Sequence, residues 1–395
     1  MSLVHFIFVH FCPSCPSCPF LSLSLVHFSM TKPFTNILFA DAISAAGDTC
    51  SKAEQTFFAG RQAFALPEHF DAHAIKHGLC PELHPPSGES RAITLFKRLA
   101  EHLPDLPDDT AIYLATTVGA IDCLEQAPPG IARDCPGILL DAVKQHFPQC
   151  QVTMISAACA SGQVATACAM RALRKNRCRF ALVVGLDITS EFVTAGFMSL
   201  GAVSRTVTRP YDELRDGMLL GEGAGVLLLS LESSQNTLGR LLAARESCDA
   251  AHITAPNLSG EQLSALIIDT LREAEIAPKD IGGIIGHGTG TLYNDQSEIA
   301  AISKVFGREA AAPPLVSIKG NIGHTLAASG VLQIVYGLSF LQCALLPPQA
   351  GLRNPAPDAE AFVSPKAQKL RTPCLLSLNV GFGGLNSALL LEAQP

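Results

Sequence analysis

Cys159 lies in a part of the sequence that favours a reactive thiol. It stands in a turn of small residues between an apolar strand pattern at 151–157 and an almost wholly apolar helical pattern at 161–173. Unpaired N–H groups and the dipole at a helix N-terminus favour a thiolate, which is the nucleophilic form of cysteine. The pattern therefore predicts a nucleophilic thiol. The alternative is a cysteine that only packs in the core.

Two histidines follow apolar patterns of the second half of the chain. His287 lies between Gly286 and Gly288 after the run IGGII, and His324 ends the segment SIKGNIGH. Side chains at the C-terminal ends of strands line the sites of open α/β sheets. Glycine beside an imidazole also lets a backbone or a substrate approach closely. We expect both imidazoles to face Cys159, although either one could be a hydrogen-bonded core histidine.

The elements that must position these residues alternate between short apolar runs and helical patterns, which predicts an α/β fold. Five apolar runs fall in each part of the chain, so we expect two similar halves. The first, 34–233, carries the nucleophile, and the second, 234–395, carries both histidines. The continuous apolar character of these runs indicates strands that are buried on both faces.

Two helices of the second half have sequence signals of their own. Ser259 and Gln262 form a capping-box pattern that predicts a helix through about Glu275. The stretch after His324 is nearly all apolar at helical length, which predicts an interior helix. No long linker and no solenoid repeat interrupts the chain.

The composition narrows the class of protein. The chain has 395 residues, of which 48% are hydrophobic and 16% charged, and its net charge is −7. The proportions of hydrophobic and charged residues are typical of an enzyme with a large core. The negative net charge disfavours nonspecific binding to nucleic acid or to an anionic membrane. Eleven of the 14 cysteines are scattered without paired spacing, which indicates reduced thiols and a cytoplasmic protein.

The N-terminal residues 1–33 differ in character from the rest. Cys12, Cys15 and Cys18 alternate with proline and serine, and no lysine or arginine precedes Lys32. We expect an appendage, either disordered or produced by a misplaced start, with Met30 beginning the working chain. A signal peptide would need a basic start, and the prolines interrupt any membrane span. A metal site at the three cysteines is the less favoured alternative.

Five motifs in this order resemble those of the β-ketoacyl synthases of the thiolase superfamily. They are the Cys159 turn, the segment RPYDELRDGMLLGEGAG at 209–225, HGTGT from His287, K-x-N-x-G-H ending at His324, and GFGG-x-N from Gly381. The resemblance spans about 35–393 and implies a thiolase-like layered αβαβα fold. A histidine at the third active-site position resembles the elongating branch.

The resemblance implies a decarboxylative Claisen condensation. Cys159 would carry the acyl chain, and His287 and His324 would donate hydrogen bonds to the enolate of a malonyl unit. The N–H groups of Cys159 and Phe382 would form an oxyanion hole. Gly381, Gly383 and Gly384 would support it, although these glycines also suit a tight strand connection.

The resemblance assigns supporting roles to further residues. Lys319 would pair with Glu298 to orient the site and set its charge. Thr289 and Thr291 would hydrogen-bond the phosphopantetheine arm, or else cap the following turn. Arg205 would contact an acidic carrier protein. Within 209–225, we favour a structural role for three charged residues, Asp212, Arg215 and Asp216.

The resemblance implies no cofactor, because the substrates are acyl and malonyl thioesters on the phosphopantetheine of acyl carrier protein. A homodimer or a heterodimer with a related subunit is expected. The family's longer segment is compressed at 119–151, so acyl-chain preference stays open, as does a specialised polyketide or polyene pathway. A different alternative is a non-catalytic partner subunit that resembles a chain-length factor, although such a factor would lack the nucleophile.

Overall fold

The computed structural model describes residues 34–128, 130–309 and 312–394. In the first 33 residues it describes only two short strands, β1 (Ile7–Phe8) and β2 (Ser24–Leu25), which pair antiparallel. The appendage expected at 1–33, with its three clustered cysteines, and the expected start of the working chain at Met30 otherwise lie outside the described residues.

The first half alternates strands and helices as the sequence predicts. Its elements are β3 (Thr35–Ser44), α1 (Cys50–Phe58), α2 (Arg91–Ala100), β4 (Thr110–Ala115), α3 (Asp122–Glu125), α4 (Cys135–His146), β5 (Gln151–Ile155), α5 (Ser161–Arg174), β6 (Phe180–Asp187), α6 (Glu191–Ser199) and β7 (Gly223–Ser230). Every residue of β7 and all but the first of β6 are buried, as their continuous apolar runs indicate.

The second half repeats this alternation. Its elements are β8 (Gly239–Cys248), α7 (Glu261–Ala274), β9 (Gly283–Ile285), α8 (Leu292–Phe306), β10 (Leu315–Val316), α9 (Lys319–Ile322), α10 (Ala328–Cys343), β11 (Leu345–Leu346), β12 (Gln368–Lys369), β13 (Cys374–Val380) and β14 (Leu385–Ala393). Short 3-10 turns occur at Pro278–Asp280 and Phe382–Gly384.

The two halves have the same strand topology. Ten strands hydrogen-bond in the order β10-β9-β13-β14-β8-β3-β7-β6-β4-β5, and β11 and β12 form a separate pair. Counted from its own first strand, each half has the order first, fifth, fourth, second, third. The parallel and antiparallel pairings also correspond. The expected architecture of two similar halves is therefore confirmed, and residues 34–395 pack as one compact unit.

The helices α5 and α10 form the central layer between the strands of the two halves. Every residue of α10 from Ala328 to Leu341 is buried, which explains why its sequence is apolar all round. Glycines allow the two helices to approach closely. A Cβ atom on Gly330 would lie 2.5 Å from the backbone nitrogen of Gln163. Outer helices complete the αβαβα layering, with α2 and α4 in one half and α7 and α8 in the other.

The helix predicted after residue 259 is present, but its predicted capping box is wrong. The N-cap of α7 is Gly260, at φ 67°, which has no side chain to cap the helix. Ser259 lies one residue earlier, and its hydroxyl accepts from the N–H of Glu261 at 3.3 Å rather than from Gln262. A Cβ atom on Gly260 would lie 2.5 Å from the backbone nitrogen of Ala301, so close packing on α8 selects glycine. Gln262 instead accepts a hydrogen bond from the Asn257 side chain. Among the described residues, no helix is both long and apolar enough to cross a membrane.

Candidate active site

Cys159 lies in a tight turn between β5 and α5. Ala158, just before it, adopts a left-handed backbone conformation with φ 48°, which is uncommon for a residue other than glycine. The Ser161 hydroxyl closes the turn, because it accepts a hydrogen bond from the N–H of Ala157 at 2.8 Å and donates one to the carbonyl of Ala158 at 2.6 Å. The turn therefore fixes the thiol two residues before the first residue of α5.

A cavity of about 570 Å³ brings the predicted reactive residues together. Cys159, His287, His324 and Phe382 all line it. The ring centroids of the two histidines are 5.3 Å apart, and the rings are nearly perpendicular. The spatial convergence expected from three distant sequence segments is thus present in the structure.

The protonated nitrogen of His324 follows from its hydrogen bonds. Its Nδ1 accepts from the backbone N–H of Leu326 at 3.1 Å and lies 3.2 Å from the Ser329 hydroxyl. Burial, together with the nearby Lys319 ammonium, lowers the pKa of His324 well below its usual value, so the ring is neutral. Because Nδ1 accepts, the proton of the neutral imidazole is on Nε2.

His287 is held by charged groups. The Lys319 ammonium donates to the carbonyl of His287 at 2.6 Å and lies 3.3 Å from its Nδ1. Asn379 Oδ1 is 3.4 Å from the same nitrogen. The ammonium can only donate and carries the charge, so it places the proton of His287 on Nε2. Burial and the Lys319 charge also lower the pKa of His287, which keeps this ring neutral.

Glu298 holds the same histidine from the other side of its backbone. Its carboxylate accepts from the N–H of His287 at 2.6 Å and from that of Gly288 at 2.8 Å. Lys319 and Glu298 therefore do not form the direct ion pair expected from the sequence. Lys319 contacts the backbone carbonyl of His287 and Glu298 contacts its backbone N–H, so the two charges interact without touching. Burial raises the pKa of Glu298 and lowers that of Lys319, and the charge of Glu298 opposes the second shift.

The protonation state of Cys159 differs from the expectation based on the helix terminus. Burial raises the pKa of the thiol to about 11, and this outweighs the opposing effect of the Lys319 ammonium. Two backbone N–H groups, those of Phe382 and of Cys159 itself, also favour the thiolate. The free site therefore holds a neutral thiol, whose sulfur is approached by the two N–H groups expected to form the oxyanion hole.

The loop 381–384 brings Phe382 to the cavity. Gly383 and Gly384 have φ angles of 82° and 78°, which favour glycine. A Cβ atom on Gly384 would lie 2.3 Å from a carboxylate oxygen of Asp249, and one on Gly381 would lie 3.3 Å from the carbonyl oxygen of Ala157. The glycines thus permit the sharp connection between β13 and β14 that presents the Phe382 N–H to the thiol.

The other predicted residues are divided between the cavity and the surface. Thr289 and Thr291 line the cavity, with their hydroxyl oxygens 2.8 Å apart. Thr291 is the N-cap of α8, but its side chain makes no capping hydrogen bond. Arg205 is exposed and is not part of the cavity lining.

The three charged residues of the segment 209–225 also differ in their surroundings. Arg215 and Asp216 line the cavity. Asp212 is buried and accepts from the backbone N–H groups of Leu214, Arg353 and Asn354, a pattern that fits the structural role favoured from the sequence.

Sequence reasoning missed two buried polar residues behind the site. Asp187, at the end of β6, accepts from the hydroxyls of Thr116 and Thr117 and from the N–H of Ala327, the N-cap residue of α10. Gln333, in the apolar α10, donates to the carbonyl of Gly286 at 2.8 Å and accepts from Asn379. A charged or amide residue within an otherwise apolar run was the available signal.

The fold and the cysteine-histidine-histidine arrangement define a thiolase-like protein. Models of the family match consecutive parts of the chain: "Beta-ketoacyl synthase, N-terminal domain" over 149–235 and "Beta-ketoacyl synthase, C-terminal domain" over 238–353. Together the matches cover just over half of the sequence. The chain belongs to the β-ketoacyl synthase family.

Curated relatives come from both polyketide and fatty-acid synthases. The chain is 33% identical to Actinorhodin polyketide putative beta-ketoacyl synthase 1 of Streptomyces coelicolor, over 61% of this chain and 54% of the relative. It is 31% identical to 3-oxoacyl-[acyl-carrier-protein] synthase 2 of Staphylococcus aureus, over 60% of this chain and 61% of that protein. The chain thus spans between about half and two thirds of the length of these relatives.

A solved structure supports the fold over nearly the whole chain. A chain of the ishigamide ketosynthase/chain length factor superposes with a TM-score of 0.83 and 27% identity. The match covers 92% of this chain and 100% of the other. The thiolase-like fold predicted from the sequence is confirmed by this likeness.

Proposed function

We propose that this protein catalyses the decarboxylative Claisen condensation of a Cys159-bound acyl chain with malonyl-acyl-carrier protein. The observation that carries the proposal is the common cavity, in which a thiol approached by two backbone N–H groups faces two neutral imidazoles. The two backbone N–H groups form one set of hydrogen-bond donors, at the sulfur, and the two imidazole N–H groups form the other. A condensation with two successive oxyanions needs two such sets of donors.

The first half-reaction loads the acyl chain. The Cys159 sulfur attacks the carbonyl carbon of the acyl thioester, and the N–H groups of Cys159 and Phe382 stabilise the resulting oxyanion. The bond from carbon to the phosphopantetheine sulfur then breaks. The proton lost from Cys159 ends on that departing sulfur, which leaves an acylated enzyme and a free carrier thiol.

The second half-reaction uses the histidines. Nε2 of each ring has no protein acceptor among the described residues, and both rings line the cavity. The two Nε2–H groups would donate to the thioester oxygen as the malonyl group loses carbon dioxide and forms an enolate. The enolate carbon attacks the acyl carbon, and the new carbon–carbon bond forms. The resulting oxyanion collapses, the bond from carbon to the Cys159 sulfur breaks, and the released thiolate takes a proton from solvent. Because both rings are neutral, they stabilise the enolate by hydrogen bonding without transferring a proton.

Mass spectrometry of the intact protein tests this proposal. Incubation with acyl-carrier proteins of graded chain length should add one acyl group to Cys159, and addition of malonyl-carrier protein should discharge it as a β-ketoacyl product. Cys159→Ala should abolish both signals. Cys178→Ala is the matched control, since Cys178 is also buried but is not part of the cavity lining. Acylation that persists in Cys159→Ala would exclude this nucleophile.

The carrier protein is the proposed partner, and the relative named 3-oxoacyl-[acyl-carrier-protein] synthase 2 supports this choice. Arg205 is exposed and would meet an acidic carrier. Arg205→Glu should raise KM for malonyl-carrier protein several-fold and leave KM for a free malonyl-pantetheine thioester unchanged. An equal change for both substrates would remove Arg205 from the docking surface.

A second candidate is a non-catalytic subunit that shapes the pocket of a related synthase. The likeness to a ketosynthase/chain length factor assembly favours testing it, and the same likeness supports a dimer. A subunit of this kind would bind a partner synthase yet remain unlabelled at Cys159 by a condensing-enzyme inhibitor while other thiols react. Labelling of Cys159 together with turnover by the isolated protein would exclude this candidate.

A further inference from the structure

Tyr211 occupies an unusual place in the segment 209–225. Its side chain is fully buried, and its backbone is in the left-handed region with φ 63°, which is disfavoured for a bulky residue. Its backbone N–H donates to Asp295 at 2.7 Å. Its hydroxyl donates to Glu298 at 2.9 Å. One tyrosine therefore contacts both buried acids of α8 through two different groups.

The glycines beside His287 make room for this hydroxyl. A Cβ atom on Gly286 would lie 2.1 Å from the Tyr211 oxygen, and one on Gly288 would lie 2.5 Å from it. Both distances are shorter than 3.0 Å, a separation below which a Cβ atom essentially never approaches another heavy atom. From the sequence, these glycines were expected to let backbone or substrate approach His287. In the structure, the group that approaches them is the Tyr211 phenol.

We propose that Tyr211 is a positioning residue that keeps Glu298 ionised and directed at the backbone of His287. The inference rests on the proposed condensation and adds to it a group that does not line the cavity. Among the residues that the structure describes, Glu298 accepts three hydrogen bonds, and the phenol supplies the one that comes from a side chain. An ionised Glu298 in turn favours the charged form of Lys319, whose ammonium donates to His287.

The charges around Glu298 determine the direction of its titration. Burial raises the pKa of Glu298, and the charge of Asp295 on the same helix raises it further. Lys319 lies across the site, and Arg215 approaches Asp295 at 3.9 Å. The phenol and the two N–H groups lower the pKa of Glu298. Loss of the phenol therefore lets Glu298 bind a proton at higher pH.

Tyr211→Phe removes the hydroxyl with little change in shape. The acidic limb of the pH profile for malonyl decarboxylation should move to higher pH by about one unit, since a hydrogen bond to a charged group contributes about that much. The rate above this limb should change little. Tyr336→Phe is the matched control, because Tyr336 is equally buried and its hydroxyl lies 2.7 Å from the neutral Ser44 hydroxyl. An unshifted limb in Tyr211→Phe would overturn the inference.

A measurement without turnover separates this inference from the proposed function. The folded-state pKa of Glu298 is raised, so folded protein retains the proton over a pH range in which unfolded protein has lost it. In Tyr211→Phe this range extends to higher pH. The loss of unfolding free energy relative to wild type should therefore grow as the pH rises through the range and then level off. In Tyr336→Phe the loss should be the same at every pH.

Glu298→Gln completes the test. Tyr211→Phe should cause no pH-dependent loss of stability when it is combined with Glu298→Gln, because the titrating group is absent. If Tyr211→Phe does not fold, Glu298→Gln alone still decides the outcome: a decarboxylation profile that keeps its acidic limb would overturn the inference. If wild-type protein shows neither loading nor decarboxylation, the proposed condensation fails, while the stability data still measure the coupling of Tyr211 to Glu298.

Discussion

The two histidines face one cavity but are held in contrasting ways. The segment 286–298 places His287 between a buried ammonium and a buried carboxylate, which contact its backbone carbonyl and N–H. The segment 323–329 holds His324 through a backbone N–H and a neutral hydroxyl. Charged groups thus position the first ring, whereas neutral groups of its own turn position the second.

This contrast indicates where pH and electrostatics should act. Changes on the His287 side leave a buried charge without its partner, which is costly in a medium of low polarisability. Loss of the Ser329 hydroxyl beside His324 removes one neutral hydrogen bond, which contributes about 1 kcal/mol. The two rings donate to the same enolate oxygen in the proposed reaction, so unequal responses would reveal differences in their support rather than in their chemistry.

The largest effect is expected for Lys319→Met. The substitution leaves the Glu298 carboxylate buried without its cation, so the free energy of unfolding should fall by about 3 kcal/mol at neutral pH and decarboxylation should be nearly lost. Chemical denaturation and a coupled decarboxylation assay measure the two effects. Lys304→Met is the control, because Lys304 is largely exposed and meets Glu261 only at 3.8 Å. A loss below 1 kcal/mol would contradict the charged clamp.

Removal of either ring should have the next largest effect. His324→Ala and His287→Ala should each slow decarboxylation by about 10²- to 10³-fold, as expected when one donor to an oxyanion is lost. Acyl loading of Cys159, followed by mass spectrometry, should fall much less in His324→Ala. If both half-reactions fell equally in that variant, the role given to His324 would be wrong.

Asp187→Asn should have an intermediate effect, because Asp187 does not contact the His324 ring and lies behind its turn, at the N-cap of α10. The carboxylate accepts from Thr116, Thr117 and the N-cap of α10, and an amide cannot accept at both of its polar atoms. We expect about a tenfold loss of decarboxylation and about 2 kcal/mol of unfolding free energy. Thermal unfolding followed beside the activity assay checks both. Wild-type values in both measurements would show that Asp187 does not support the His324 turn.

Ser329→Ala should give the smallest change. His324 Nδ1 keeps the N–H of Leu326 when the hydroxyl is absent, so decarboxylation should fall only two- to fivefold. The shape of the pH profile should match that of wild type. A shifted profile in this variant would end the distinction between a charged and a neutral side.

The sequence predicts those parts of the site that depend on local pattern. The end of β9 at Ile285 indicates where His287 lies, and the small-residue turn at Cys159 is visible in the same way. His324 was also expected at a strand end, but α9 separates it from the end of β10 at Val316. The contacts of Asp187 and Gln333 join residues far apart in the chain, so no local pattern shows them.

Two expectations about charged groups differ from the structure, because they depend on contacts that local sequence does not show. The helix terminus indicated a stabilised thiolate at Cys159, but burial has the larger effect, and its extent depends on the whole fold. Lys319 and Glu298 were expected to meet directly. The backbone of His287 lies between them, an arrangement that no spacing of the two residues could indicate.

The central place of β3 in the sheet has a consequence during synthesis. This strand is the first of its half to leave the ribosome, yet its neighbours on both sides, β7 and β8, are encoded far downstream, with Asn36 paired to Ser230. At ordinary translation speeds, roughly 10–40 s pass between the appearance of those two residues. For that time a ten-residue strand exposes both of its edges, so nascent chains of this protein should be clients of chaperones that bind unpaired apolar strands.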